Sequence, residues 1–235
     1  IEASAEGFVR TALAARGRDE RPFYSTSANG QVIATYGRDD AFRALMDEAD
    51  QIHADGQPMV QISRLVTNQP LPERVATTDL VHAVARRARE QGVSFYFLGG
   101  SEDVNQRAVE SMQTAYPGLI FAGRRHGYFT RDEEAAICAE IVASKADILW
   151  IGLGVPLEQE FISRNIDRLR GVGVIKTSGG LFDFLSGKNR RAPAWMQAAG
   201  LEWAFRMYLE PRRLAWRYLT TNPVAIHALL RHSSR

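Results

Sequence analysis

The chain has 235 residues, 45% of them hydrophobic and 24% charged, with one cysteine, Cys138. That suits one sizeable globular domain and excludes a disordered or fibrous chain, while a lone thiol excludes an internal disulfide and a four-thiolate zinc site. The net charge of +2 hides an asymmetry: residues 188–235 hold nine Lys or Arg against Glu202 and Glu210, which gives +7 and leaves −5 for residues 1–187. A single cysteine fits a reducing compartment, and a basic tail points to an anionic partner such as phospholipid or nucleic acid. No uncharged stretch is long and apolar enough for a spanning helix, and a chain that opens at Ile1 leaves a removed upstream segment open.

In chain order, short apolar runs alternate with helix-periodic stretches. A strand at 23–25 is followed by a strand that carries His53, a helix over 79–91 and a strand over 93–98. A helix at 101–116, a strand at 119–121 and a helix at 131–145 come next. A strand at 148–151, a helix at 156–170 and a strand at 172–176 complete the series. Such alternation implies parallel pairing with helices on both sheet faces. The expected architecture is a Rossmann-like α/β body over residues 1–187, followed by a basic, Trp-rich helical appendage over 188–235. Cys138 lies on the apolar pattern of its helix and reads as core.

Ligands of such sheets sit beyond the carboxyl ends of the strands. Three of those ends are glycine-rich: Gly99-Gly100-Ser101, Gly152-Leu153-Gly154-Val155-Pro156 and Thr177-Ser178-Gly179-Gly180. Glycine lets backbone approach a phosphate, and the next helix offers free amides; glycine also ends strands simply to turn. Three such turns on one edge favour a nucleotide pocket. The chain has neither G-x-G-x-x-G nor G-x-x-x-x-G-K-[ST], which counts against a nicotinamide-dependent oxidoreductase and a P-loop enzyme. It lacks D-x-D, and its five histidines are scattered, so the expectation is metal-free electrostatic chemistry with no cofactor. A non-catalytic nucleic-acid-binding module is the other alternative. The acidic body and the lack of a reading-helix motif argue against it.

Two stretches are unusual. One is Gly152-x-Gly154-x-Pro156-x-x-Gln159-Glu160. The other runs from Gly179-Gly180-Leu-Phe182-Asp183 through Gly187 and Arg191-Ala-Pro193 to Glu202-Trp203-x-x-Arg206 and Pro211-Arg212-Arg213. With Ala54-Asp55-Gly56 and Ser27-Ala28-Asn29, they resemble the WecG/TagA/CpsF family of glycosyltransferases over nearly the whole chain. The resemblance implies inverting transfer from a UDP-sugar to a polyprenyl-diphosphate-linked saccharide, without D-x-D, at the cytoplasmic face of the bacterial inner membrane. It implies that Asp55 is the catalytic base, that Ser27 and Asn29 match a T-x-N motif, and that Arg74 and Gln159 match further family positions. Thr77 replaces the glycine usual before the Ser/Thr-Asp-Leu segment.

Each of these residues also has an ordinary reading. Asp55-Gly56 is a common turn, Asn29 could cap the helix that starts at Gly30, and Arg74 could be a solvated surface charge. Its functional reading is a forked donor to the leaving diphosphate. Tyr128 either stacks on uracil or is a half-buried aromatic, and Asp183 either meets ribose or caps a helix. Gln159 and Glu160 open the helix aimed at the pocket, while His53 reads as structural. Trp195, Trp203 and Trp216 are interleaved with arginines in the tail. Trp195 and Trp203 read as packed on the body, and Arg191, Arg206, Arg212, Arg213 and Arg217 as contacts to lipid or donor diphosphate. The expected partners are therefore a UDP-sugar, the lipid-linked acceptor and an anionic membrane surface, without nucleic acid. The transferred sugar and the oligomeric state stay open, a homo-oligomer included.

Overall fold

A computed structural model describes residues 1–193, 195–196, 201–209 and 211. Its six strands are β1 (Phe23–Ala28), β2 (Gln51–Ala54), β3 (Ser94–Gly99), β4 (Ile120–Arg125), β5 (Ile148–Gly152) and β6 (Val174–Thr177). They form one sheet of order β2-β1-β6-β5-β3-β4. The registered pairs β1·β6, β6·β5, β5·β3 and β3·β4 are all parallel, as the strand–helix alternation requires.

The helices are α1 (Glu2–Ala15), α2 (Gly30–Tyr36), α3 (Asp40–Asp47), α4 (Gln57–Val66), α5 (Thr77–Gln91), α6 (Glu102–Ala115), α7 (Glu134–Ala143), α8 (Leu157–Asn165), α9 (Leu181–Leu185) and α10 (Glu202–Leu209). Among the described residues no helix is long and apolar enough to cross a membrane. The chain divides into two compact units. The first comprises Ile1–Thr26, Asp47–Ile52 and Thr77–Asn189. The second comprises Ser27–Met46, His53–Ala76 and the described residues from Arg190 onward.

In the first unit, the two-residue period of the strands sorts the core. Tyr96 and Leu98 of β3 and Leu149 and Ile151 of β5 share one cluster with Ile137, Cys138 and Ile141 of α7 and Phe161 and Ile162 of α8. The intervening Phe95, Phe97 and Trp150 pack together in a separate aromatic group, where Phe182 of α9 stacks on Phe97 with centroids 4.7 Å apart. Cys138 is core as expected, and burial pushes its thiol up to about 11. The second unit has its own small core of Ala28, Val32, Phe42, Met46, Ala54 and Met59.

Helix α1 lies outside the elements read above, although Ala5, Phe8, Val9 and Ala12 are buried at helical spacing. Just past its end, Arg16 grips Asp147 with two hydrogen bonds, Nε to Oδ1 at 2.7 Å and Nη2 to Oδ2 at 2.8 Å. The backbone N–H and hydroxyl of Ser94 also donate to Asp147 Oδ2, so one buried carboxylate joins the starts of β3 and β5 to α1. Burial works against its charge, but the Arg16 and Ser94 hydrogen bonds prevail and hold the Asp147 carboxyl below its usual range. Replacing Asp147 with alanine is expected to cost about 3 kcal/mol in urea unfolding at pH 7, because buried donors lose their acceptor. Asp147 titrates lower when folded, so this contribution is complete above the usual pKa of 3.8 and is lost as the pH falls through the folded value. The gap between parent and variant should therefore close in acid; a gap that stays constant would contradict the assignment.

Candidate active site

At the carboxyl edge of the sheet in the first unit, β3 and β5 end in contact. Gly99 has φ of +140°, and a Cβ there would lie 2.2 Å from the carbonyl oxygen of Gly152. Only glycine fits that approach. The N–H of Gly100 donates to the Gly152 carbonyl (3.2 Å), and that of Gly127 to the Gly100 carbonyl (2.8 Å). Asn105, fully buried on α6, donates through Nδ2 to the carbonyls of Gly99 (2.8 Å) and Arg125 (3.0 Å). Ser101 caps α6, its Oγ accepting from Val104 N–H at 3.4 Å. Gly99, Gly100 and Ser101 thus each have a packing role.

The turn after β5 is more open. A Cβ on Gly154, at φ +82°, would meet nothing within 4 Å, and the Gly154 carbonyl accepts from the Glu158 N–H. Gly152 lies against the Phe182 ring, and Pro156 is the N-cap of α8. Gln159, which opens that helix, is 1% exposed and turns inward: its Nε2 lies 3.4 Å from Thr26 Oγ1, itself 2.8 Å from Thr177 Oγ1. Glu160 stays half-buried near Arg164, at 3.6 Å.

After β6, the N–H of Gly179 donates to Glu158 Oε2 at 2.9 Å, so this amide is committed inward, whereas Gly180 faces open space. Glu158, which the sequence reading passed over, is 2% exposed. Burial pushes its carboxyl up to about 7, opposed by the Gly179 N–H and the charge of Lys176. Lys176 is itself fully buried, its Nζ donating to the Thr177 carbonyl at 3.0 Å. It was read only as the end of a strand; a lysine inside an apolar run was the available signal.

Tyr128, after β4, is 77% exposed, and Asp183 accepts from Lys188 Nζ at 2.9 Å. Gly127 and Phe129, the chain neighbours of Tyr128, line a cleft of about 170 Å³ together with Leu153, Leu157, Arg131 and Arg164. A larger cleft, about 250 Å³, lies at the amino ends of β1 and β6, beside Arg18, Arg21, Phe23 and Gly173.

In the second unit two backbone hydrogen bonds gather the other expected residues. Asp55 N–H donates to the Ala28 carbonyl (2.8 Å), setting the Asp55-Gly56 turn beside Ser27 and Asn29. Val75 N–H donates to the Ala54 carbonyl (2.8 Å), tying the segment that follows Arg74 to the end of β2. Asn29 caps α2: its Oδ1 accepts from Gln31 N–H (3.0 Å) and Val32 N–H (3.1 Å). Asp55 and Ser27 are half-buried, and His53 is buried. Arg74 pairs through Nη1 with Glu202 Oε2 at 3.1 Å, and Arg191 reaches Glu202 Oε1 through Nε at 3.4 Å. Arg212, Arg213 and Arg217 lie outside the described residues, as do Trp216 and the side chains of Trp203 and Arg206. Trp195, expected to pack, is 66% exposed; Leu201, Tyr208 and Leu209 are exposed as well. No group of three or more His, Cys, Asp or Glu among the described residues is arranged to hold a metal ion.

The parallel α/β sheet with its turns at one edge belongs here to a sugar-transferring enzyme: the chain is a glycosyltransferase. It belongs to the WecG/TagA/CpsF family of glycosyl transferases, whose sequence model matches residues 2–235. It is also 30% identical over 209 residues to the N-acetylglucosaminyldiphosphoundecaprenol N-acetyl-beta-D-mannosaminyltransferase of Bacillus spizizenii, a match that covers 89% of this chain and 79% of that protein.

The Glu158 carboxyl gives a pH test. Its folded pKa, about 7, lies above the ordinary 4.5, so between these values the folded protein holds a proton that the unfolded chain has released. The associated stability is complete below 4.5 and lost as the pH rises through 7, a decline of about 3 kcal/mol. Unfolding free energies from pH 4 to 8 should show this decline in the parent and not in Glu158→Gln. Parallel profiles for the two would contradict the assignment.

Proposed function

We propose that the protein transfers a sugar from a UDP-sugar to a polyprenyl-diphosphate-linked saccharide, in an inverting and metal-independent reaction at a membrane surface. The observation that carries this reading is the pair of backbone hydrogen bonds, Asp55 N–H to the Ala28 carbonyl and Val75 N–H to the Ala54 carbonyl, which set the Asp55-Gly56 turn and the segment that follows Arg74 beside the ends of β1 and β2. The acceptor class comes from the Bacillus spizizenii relative, whose acceptor is N-acetylglucosaminyldiphosphoundecaprenol.

In this reading Asp55 takes the proton of the acceptor hydroxyl as its oxygen attacks the anomeric carbon. The bond to the diphosphate breaks on the opposite face, and UDP leaves with the bonding pair. A carboxylate base needs only hydrogen-bond reach and the charged form at the working pH. Arg74 spreads the charge that develops on the diphosphate, the task a divalent ion performs in other transferases. The planar fork of an arginine suits phosphate oxygens better than a lysine would. Ser27 offers a hydroxyl, and Asn29, whose Oδ1 is spent on its helix cap, offers its amide nitrogen.

Gly152, Gly154, Pro156, Gly179, Gly180 and Asp183, with Tyr128, are proposed to take the nucleotide at the sheet edge. The open surroundings of Gly154 and Gly180 support this. Gln159 and Glu158 then support the turns from beneath instead of touching the ligand. The basic segment 188–235 is proposed as a peripheral contact with anionic lipid at the cytoplasmic face, supported by its +7 charge and by exposed Trp195 and Tyr208.

The reading is tested with UDP-N-acetylmannosamine, other UDP-sugars and a short-chain polyprenyl-diphosphate N-acetylglucosamine, in EDTA, with the products weighed. The parent should form a disaccharide lipid, and Asp55→Asn should form it about 10²–10⁴-fold more slowly while keeping its folded-state spectrum. Turnover of the variant within a few-fold of the parent, or a stoichiometric requirement for Mg²⁺ or Mn²⁺, would overturn the reading.

A further inference from the structure

We propose that the end of α4 is a membrane-docking surface, on which Leu65 and Leu71 enter the bilayer while Arg64 meets the headgroup phosphates of anionic lipid. The proposal rests on the reading that the acceptor is lipid-linked and Asp55 its base, and it adds a contact separate from the basic segment 188–235. The surface lies within one stretch of the second unit, residues 55–73.

Helix α4 leaves the Asp55-Gly56 turn with Gly56 as its N-cap. Its inner face carries Met59, Val60 and Ser63, all buried, and Met59 joins the small core of the unit. Its outer face carries Gln61, Arg64 and Leu65 at helical spacing. Leu65 is 85% exposed, more than any other large hydrophobic side chain among the described residues. A single exposed leucine is ordinary, but a second is held at the same end of this helix. The Thr67 N–H donates to the Ser63 carbonyl, and the Leu71 N–H donates to Ser63 Oγ at 3.0 Å. That hydroxyl donates in turn to the Val60 carbonyl at 2.8 Å. The loop is thereby folded back on the last turns of α4, with Leu71, 36% exposed, between Pro70 and Pro72. Each proline fixes its own φ and restricts the residue before it, so Leu71 is presented to water in a set conformation.

Charge identifies the partner. Arg64 is the only ionisable side chain in residues 56–72, which therefore carry +1 and no acid. Two leucines beside a cation, with no carboxylate to repel lipid phosphate, suit an anionic bilayer: the leucines reach the acyl boundary and the guanidinium stays at headgroup depth. A symmetric contact with a second copy would bring the same cation to the surface and no carboxylate to answer it. The length of α4 agrees with this partner. Gln57 to Leu65 spans about 12 Å along the helix axis, so the helix sets Asp55 back from the docking leucines. A lipid-linked acceptor likewise carries its hydroxyl above the headgroups, beyond a diphosphate and within its sugar.

The test uses the full chain and vesicles of equimolar phosphatidylglycerol and phosphatidylcholine. In Leu65→Cys an environment-sensitive thiol dye marks position 65 alone, because Cys138 is buried. Its emission should shift to shorter wavelength when vesicles are added, and lipids brominated in the acyl chain should quench it. The parent should float with the vesicles. The double variant Leu65→Gln, Leu71→Gln should partition at least about 10-fold less, because both leucines lose their burial, with UDP affinity within about 2-fold of the parent. A parent that does not bind the vesicles overturns the membrane reading and the proposal with it. If the parent binds but the dye emission or the partition of the double variant is unchanged, the proposal alone is overturned and the contact belongs to the basic segment. A dye shift that appears on raising the protein concentration without vesicles assigns the surface to a second copy and also overturns the proposal. Should the double variant not fold, the dye emission decides.

Discussion

The carboxyl ends of β3 and β5 touch backbone to backbone, and the turns of the first unit are arranged around that contact. Gly99 has no room for a Cβ because the Gly152 carbonyl is there, and a Cβ on Gly152 would in turn press on the Phe182 ring. Phe182 stacks on Phe97, two residues from the end of β3, so the start of α9 is fixed by the same packing. The turns after β3, β5 and β6 therefore leave the sheet at heights that leave little freedom. A close-packed interior transmits such a constraint because it has no voids to absorb a shift.

Beneath those turns the protein accepts a polar layer where an apolar one would be cheaper. Glu158, Gln159, Lys176 and Thr177 are all nearly or fully buried, and Thr26 completes the chain of contacts. Burial pushes the Glu158 carboxyl up to about 7, because its charged form is costly to keep out of water. In return, its side chain takes the Gly179 N–H and holds the turn after β6. Costs of this kind concentrate where a protein positions chemistry. The second unit follows a similar logic nearer the surface, with Glu202 set between Arg74 and Arg191.

The buried strands were legible because parallel strands covered on both faces are continuous apolar runs. The stretches 148–151 and 93–98 became Ile148–Gly152 and Ser94–Gly99 with shifts of one residue. Strand β2 was harder to read, being four residues long with Ile52 45% exposed, which blurs its pattern. The family was legible from motif spacing. What spacing does not carry is direction: Gln159 and Glu158 stand in a motif aimed at the edge of the sheet, yet both side chains turn inward. Nor does a local pattern show a distant partner. Gly99 is glycine because of Gly152, and the cap made by Asn29 shows only in the amides of Gln31 and Val32 that its Oδ1 accepts from.

The central claim is that the nucleotide is held at the carboxyl edge of the sheet, and amide hydrogen exchange with and without saturating UDP in EDTA tests it most directly. Exchange should slow in peptides covering residues 152–160 and 178–183 and stay unchanged in residues 11–23, which border the larger cleft at the opposite end. Protection confined to residues 11–23, or no protection anywhere, would contradict the account.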